Sequence, residues 1–138
     1  MTSIRRSLFA LVVIAALVAT SVALAAKPGD WQDKKHGLTF GVSTNGKRLT
    51  FIDWTCKDET LAKGFKPGKG PKIRRRGRFS FEGKALPFKN GGPGEPRKIE
   101  ISGRFRKRNG KPRAVGTLDT KGCRDVKFRA KPAPAGQG

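Results

Sequence analysis

Short apolar runs that alternate with polar residues, and that end at glycine or proline turns, constrain the fold of this chain most strongly. The 138 residues include 18 Gly and 9 Pro. Alternation with a period of two is typical of half-buried strands, and turn signals every 8 to 12 residues or so are typical of antiparallel sandwiches and barrels. The sequence therefore predicts a single all-β domain over residues 26–130, an antiparallel β-sandwich or barrel of about seven short strands.

The phase of the apolar residues predicts where the strands begin and end. Asn45-Gly46 and Asn109-Gly110 are strong hairpin signals, because both turn residues must accept positive φ. A change of phase between Cys123 and Val126 predicts a β-bulge. The predicted strands are 38–42, 47–56, 76–82, 85–88, 97–108, 114–120 and 126–130. The predicted loops are 57–72, with one helical turn at 59–63, and 89–96, and residues 131–138 are predicted to be a disordered tail.

Two further expectations concern individual strands. Segment 47–56 is apolar on both faces, which predicts a central strand that is covered on both sides. Gly83-Lys84 is expected to turn the chain between two short strands. The predicted inward-facing set is Trp31, Leu38, Phe40, Val42, Leu49, Phe51, Ile52, Trp54, Phe79, Phe81, Ile99, Ile101, Phe105, Leu118, Val126 and Phe128.

The first 25 residues have the composition of a secretory signal peptide. Arg5 and Arg6 precede the apolar run 8–19, and Ala23-Leu24-Ala25 supplies the small residues of a cleavage site. The segment is also just long enough for an uncleaved membrane anchor, which is the alternative. Cleavage predicts a secreted, extracellular protein that begins near Ala26, with the cell envelope as an alternative location.

The residue types that carry catalysis are few and scattered. Cys56 and Cys123 are the only two cysteines, and in an exported chain without a Cys-x-x-Cys motif they predict a structural disulfide. His36 is the only histidine and lies among lysines before a strand, which indicates a surface position. No spacing selects a pair among the ten carboxylates. The sequence therefore predicts a non-enzymatic protein without a metal or another cofactor.

Basic side chains give the one functional signal. The formal net charge is +21 at pH 7, and strand alternation places many of the cations on outward faces. The candidate polyanion-binding residues are Arg74, Arg75, Arg76, Arg78, Arg104, Arg106, Arg108, Lys127 and Arg129. The expected partners are teichoic acid, anionic glycan, anionic lipid headgroups or DNA, with little sequence preference. The alternative function is a structural or protein-interaction module of the cell envelope, whose charge only keeps it soluble.

Gly-Arg-Phe occurs at 77–79 and again at 103–105, either as a pseudo-repeat of two hairpins or by chance. The order of strand motifs as a whole resembles a group of small secreted bacterial β-proteins, of the type found in high-GC Gram-positive bacteria, which have one Cys pair and no assigned activity. The resemblance implies the β-fold, export and the disulfide, and it supplies no function. The high basicity and the absence of Tyr depart from it. The motifs are Trp31, Leu38-x-Phe40-x-Val42, Gly77-x-Phe79-Ser80, Ile101-x-Gly103-x-Phe105, Gly116-Thr117-Leu118 and Val126-x-Phe128-x-Ala130.

Overall fold

The computed structural model describes residues 26–89 and 92–134. The predicted signal peptide 1–25 and residues 135–138 of the predicted tail lie outside the described residues. The strands in the described part are β1 Gly29–Asp33, β2 Leu38–Val42, β3 Leu49–Cys56, β4 Glu59–Gly64, β5 Arg78–Lys89, β6 Gly92–Pro93, β7 Arg97–Arg108, β8 Lys111–Thr120 and β9 Cys123–Pro132.

These strands close into an antiparallel barrel. Their order is β4-β3-β2-β1-β9-β8-β7-β5, and β5 pairs back with β4, so eight strands form a ring. The short β6 is an extra strand paired with the end of β5. A ring of eight strands encloses a space that side chains can fill. The predicted all-β fold is therefore confirmed, and the closed barrel decides between the two predicted architectures.

The disulfide joins two hairpins at one end of the barrel. Cys56 ends β3 and Cys123 begins β9, and their Cα atoms are 6.1 Å apart. The bond links positions that are 67 residues apart in sequence. In the chain-entropy model, closing a loop of this length stabilises the folded state by about 4 kcal/mol. The predicted pairing is confirmed, and it indicates folding in an oxidising compartment.

Aromatic rings fill the centre of the barrel. The ring of Phe40 is 6.2 Å from that of Trp31, 5.9 Å from that of Phe79 and 6.0 Å from that of Phe105. Thirteen of the predicted inward residues are buried, and Phe51, Phe81 and Val126 are half-buried. The prediction missed the buried Cys56, Leu61, Ala85, Ala114 and Ala130. The alanines were missed because a small side chain adds little to a hydrophobic pattern.

A register shift explains why segment 47–56 is apolar on both faces. Gly41 pairs with Phe51 and Val42 pairs with Leu49, so Thr50 is an extra residue on β3. The side-chain phase reverses at this bulge, which lets both Leu49 and Ile52 face inward. The prediction of a strand covered on both sides is therefore wrong.

Part of the predicted loop 57–72 is a strand. β4 occupies Glu59–Gly64, where one helical turn was predicted, and it pairs with β3 through a two-residue turn at Lys57-Asp58. Leu61 is its one fully buried side chain. A single buried residue gives no periodicity, so the pairing with β3 and β5 decides this element.

The predicted turn at Gly83-Lys84 is also wrong, because β5 runs without interruption from Arg78 to Lys89. Residues 78–85 pair with β7, and residues 86–88 pair with β4. A Cβ atom at position 83 would lie 2.6 Å from the ring of Phe81. Glycine is therefore needed at position 83 because the ring of Phe81 occupies the space that a side chain would take.

The last strand agrees with the prediction at its start and differs at its end. Asp119 lies opposite both Arg124 and Asp125, which confirms the predicted bulge between Cys123 and Val126. The strand continues to Pro132, which pairs with Trp31 of β1, so the first residues of the predicted tail belong to the barrel. In the predicted loop 89–96, Gly92 and Pro93 pair with the end of β5.

Candidate anion-binding face

The outer surface of β5, β7, β8 and β9 carries three rows of side chains, because residues directly opposite each other in a sheet face the same side. The basic row is Arg78, Arg104, Val115 and Arg129. The hydroxyl row is Ser80, Ser102, Thr117 and Lys127. The acidic row is Glu82, Glu100 and Asp119. Successive rows are about 7 Å apart along the strands, so the face changes sign over roughly 14 Å.

A pair of glycines lies under the boundary between the basic row and the hydroxyl row. Gly103 is opposite Gly116, and a Cβ atom at position 116 would lie 2.0 Å from the carbonyl oxygen of Ser102. The rings of Phe79 and Phe128 pack beneath this pair from inside the barrel. The close approach of these backbones requires glycine at both positions.

This packing also accounts for the two Gly-Arg-Phe motifs. They run in opposite directions on β5 and β7, so Arg78 lies opposite Arg104 and Phe79 lies opposite Gly103. Gly77 in turn lies against Phe105. The ring of Phe79 covers Gly103, and the backbone and Cβ of Phe105 lie against Gly77, contacts that help to fix register. The motifs are therefore one antiparallel pair rather than two similar hairpins.

Two open grooves adjoin on this face. The first groove has a volume of about 620 Å³ and is lined by Arg74, Arg75, Arg78 and Arg104 above the small residues of the hydroxyl row. The second groove has a volume of about 580 Å³ and is lined by Arg106, Lys127 and Arg129. The grooves share Val115, Gly116 and Thr117, so they form one cationic depression across the strands.

Carboxylates pair with cations elsewhere on the molecule. Lys98 Nζ lies 2.6 Å from Glu82 Oε1 and 3.5 Å from Glu100 Oε1, so it bridges two members of the acidic row. Arg124 lies beside Asp119, Lys89 beside Asp58 and Arg97 beside Glu59. Within residues 26–89 and 92–134, none of the nine predicted cations forms an ion pair. None of these nine cations is therefore neutralised by a side-chain ion pair within the described residues.

The structure brings seven of the nine predicted cations into the grooves. All nine are exposed. Arg74, Arg75, Arg78 and Arg104 line the first groove, and Arg106, Lys127 and Arg129 line the second. Arg76 and Arg108 line neither. Arg76 lies in a left-handed turn with φ 64° before β5, and Arg108 is the last residue of β7, where it lies opposite Lys111 outside both grooves.

Sequence reasoning missed Asp33, Lys35 and His36, which also line the second groove. Asp33 is 7 % exposed and accepts hydrogen bonds from the backbone N–H of Lys35 at 3.1 Å and of Arg129 at 2.9 Å. His36 Nδ1 lies 2.8 Å from Asp33 Oδ2. The spacing Asp33-x-x-His36 before Gly37 was the available signal, since an aspartate there caps the 3₁₀ turn Lys34–His36.

Hydrogen bonds keep the Asp33 carboxylate charged in spite of its burial. Burial by itself raises the pKa of Asp33, but the bonds from the His36 side chain and from the Arg129 backbone N–H lower it, and the net direction is downward. The pKa of Asp53 is shifted in the opposite direction, because burial alone acts on its carboxyl group and raises its pKa. Asp33 is therefore an ionised acceptor whose oxygens are already used.

The comparisons with known proteins leave this site without a relative. No family model matches the chain, and the searches of curated proteins and of solved structures return no significant match. Within the described ranges, no cluster of three or more His, Cys, Asp and Glu residues could hold a metal ion. The same ranges contain no helix long and apolar enough to cross a membrane.

Proposed function

We propose that the protein is an exported, non-enzymatic β-domain that binds extracellular polyanions through the outer face of β5, β7, β8 and β9. The observation that carries the proposal is the direct pairing of Arg78 with Arg104 in a row that also holds Arg129. Like charges directly opposite each other destabilise a sheet. An anion lying along this row would offset the repulsion.

The shape of the depression favours a linear polymer of phosphate or sulfate groups. The basic row crosses four strands, a span of about 14 Å at the usual strand spacing. Several charges of one chain can lie along that length, as in a teichoic acid, a sulfated glycan or a nucleic acid backbone. The three rows contain no aromatic side chain, so stacking on bases is not supported and little sequence preference is expected.

The direct test is salt-dependent binding to an immobilised polyanion. We expect retention on heparin to fall steeply between about 50 and about 200 mM salt, because bound phosphate or sulfate groups release counterions. The triple variant Arg78→Ser, Arg104→Ser, Arg129→Ser should flatten the plot of log affinity against log salt by about one unit for each arginine removed.

A matched variant separates the face from the net charge. Lys47→Ser, Lys66→Ser and Lys69→Ser remove the same number of charges from exposed loop positions that line neither groove. Its salt dependence should stay close to that of the wild type. Equal losses in the two variants would show that only total charge matters. Unchanged binding in both would leave the arginines as a solvated surface.

Export is part of the same proposal, and the disulfide supports it. Mass analysis of the exported product should find a chain that begins near Ala26. Full-length chain in the membrane fraction would instead support the uncleaved anchor.

One observation favours the alternative function, a structural or protein-interaction module. Leu86 is 43 % exposed and Phe88 is 42 % exposed on β5, beside the closure with β4. Exposed apolar side chains of this size are common at protein contacts. If the protein self-associates, Phe88→Ser should weaken the association in sedimentation experiments and leave heparin retention unchanged.

A further inference from the structure

We propose that the second groove is a discrete site for one phosphate or sulfate group, and that His36 acts there as a donor that switches with pH. The proposal deepens the polyanion-binding function and rests on it. It concerns the part of the depression formed by the 3₁₀ turn Lys34–His36 together with β7, β8 and β9.

The site is built where β1 separates from β9. Trp31 and Gln32 pair with Pro132 and Lys131, and the ladder then ends. The next bond across the gap is made by the Asp33 carboxylate, which accepts the backbone N–H of Arg129 in place of a main-chain carbonyl. The chain then turns through Lys35 and His36, and the opening that remains is the second groove.

The charges in this groove suit a compact anion. Its cations are Lys35, Arg106, Lys127 and Arg129, and Thr117 adds a hydroxyl group. The one carboxylate among its lining residues is Asp33, whose oxygens already accept bonds from two backbone N–H groups and the His36 ring. A bound anion would therefore meet four positive charges and a single, well-satisfied negative charge.

The tautomer of His36 makes its role depend on pH. Since Nδ1 faces the Asp33 carboxylate at 2.8 Å, the neutral ring carries its proton on Nδ1 and a lone pair on Nε2. A lone pair repels an anion oxygen, whereas the protonated ring would donate from Nε2. The proton and the anion should therefore bind cooperatively, each favouring the other by the same factor.

Other ionisable groups surround the turn, and they respond differently to pH. Lys34 and Lys35 lie on the turn itself, Arg106 on β7, and Lys127 and Arg129 on β9. The lowered pKa of Asp33 keeps its carboxylate ionised between about pH 5.5 and about pH 8. β3 packs against the turn and carries Asp53, whose pKa is raised by burial, so Asp53 is the group to control for.

Sulfate is the probe, because its charge does not change in this range of pH. We expect its dissociation constant, measured by NMR titration of the full domain, to fall about tenfold from about pH 8 to about pH 5.5. The amide shifts should centre on His36, Lys127 and Arg129. Sulfate should also move the titration midpoint of the His36 imidazole to higher pH.

Variants decide whether the histidine is responsible. His36→Gln should abolish the tightening at low pH, whereas Asp53→Asn should retain it. A pH ratio that is the same in wild type and His36→Gln, or an imidazole midpoint that sulfate does not move, would overturn the proposal. The midpoint is measured on the wild type, so it still decides if His36→Gln folds poorly. If heparin retains the protein but sulfate binding shows no pH effect, this inference fails and the polyanion-binding function stands. If heparin does not retain the protein but the pH effect on sulfate binding is present, the polyanion-binding function fails and the sulfate site stands.

Discussion

The two ends of the outer face contain like charges in the same arrangement but neutralise them differently. At one end Glu82 lies opposite Glu100, and Lys98 bridges both carboxylates. At the other end Arg78 lies opposite Arg104, and neither arginine forms an ion pair within the described residues. The strand pairing is the same in both rows, so the electrostatic difference between them comes from the counter-charge.

A counter-charge decides whether a charged row on a sheet can hold a ligand. Where a residue of opposite charge bridges a like-charged pair, it offsets the repulsion within the protein. A like-charged pair without a bridging residue keeps its electrostatic potential, and a bound ligand of opposite charge can neutralise it. The ends also differ in structure, since the acidic row lies near the disulfide and the basic row lies near the Asn109-Gly110 turn.

The largest expected effect comes from the disulfide at the acidic end. Replacing Cys56 and Cys123 by Ala should lower the free energy of unfolding by about 4 kcal/mol, because the unfolded chain gains freedom. Urea denaturation at neutral pH measures this change. The rate of amide hydrogen exchange in this variant should increase first at the acidic end. If it increases first at the basic end, the disulfide does not account for a difference in stability between the two ends.

A change to the floor of the basic end should come next. Gly116→Ala should destabilise the barrel by about 3 kcal/mol, because the new Cβ atom would overlap the Ser102 carbonyl oxygen and the ring of Phe128. Gly64→Ala is the control, since a Cβ atom there meets nothing within 4 Å. Similar thermal unfolding of the two variants would mean that the sheet can open at Gly103 and Gly116 without cost.

The carboxylate at the basic end tests whether charge or hydrogen bonding matters there. Asp33→Ala should cost about 2 kcal/mol at neutral pH, because it leaves the N–H groups of Lys35 and Arg129 without an acceptor. Since the folded state lowers the pKa of Asp33, this contribution is present above about pH 4 and is lost as the pH falls through the folded value. The cost of the substitution should therefore shrink in acid.

Asp53 should behave in the opposite way. Burial raises its pKa, so its ionised form destabilises the folded state and its unfavourable contribution disappears as the pH falls. Asp53→Asn should therefore leave stability at neutral pH unchanged or increased. If the effects of the two substitutions on the free energy of unfolding changed with pH in the same way, the opposite pKa shifts of Asp33 and Asp53 would be contradicted.

The smallest expected effect concerns the two like-charged pairs, Arg78 with Arg104 and Glu82 with Glu100. Arg104→Ser should raise the melting temperature by about 1 °C at low salt, because it removes a like-charge pair, and this gain should vanish in concentrated salt. Lys98→Met should lower the melting temperature, since it leaves Glu82 and Glu100 unbridged. Calorimetry of both variants at two salt concentrations measures the contrast. A loss of stability in both would show that Arg104 has a structural partner.

The prediction from sequence was accurate wherever a strand repeats its pattern over many residues. Segment 97–108 was predicted with its observed bounds, since apolar residues alternate with polar ones from Ile99 to Phe105 and basic residues flank them on both sides. The prediction failed for β4, where Leu61 alone is fully buried, and at Gly83, where a turn residue fills a packing role. It also interpreted the bulge at Thr50 as coverage on both faces, because a phase change and a doubly buried strand look alike in sequence.

The amino-acid order alone specifies the strand content, most of the core, the cysteine pair and the outward direction of the arginines. These properties depend on local alternation and on residue chemistry, which any single strand already contains. The choice of neighbouring strands depends on the folded barrel, and this choice places Arg78, Arg104 and Arg129 in one row and leaves Arg76 and Arg108 outside it. It also brought Asp33 and His36 to the same groove as Arg129, which is 96 residues from Asp33 in sequence. The physical reason is that register across a sheet is set by the packing of distant residues, such as Phe79 against Gly103, and no single strand encodes it.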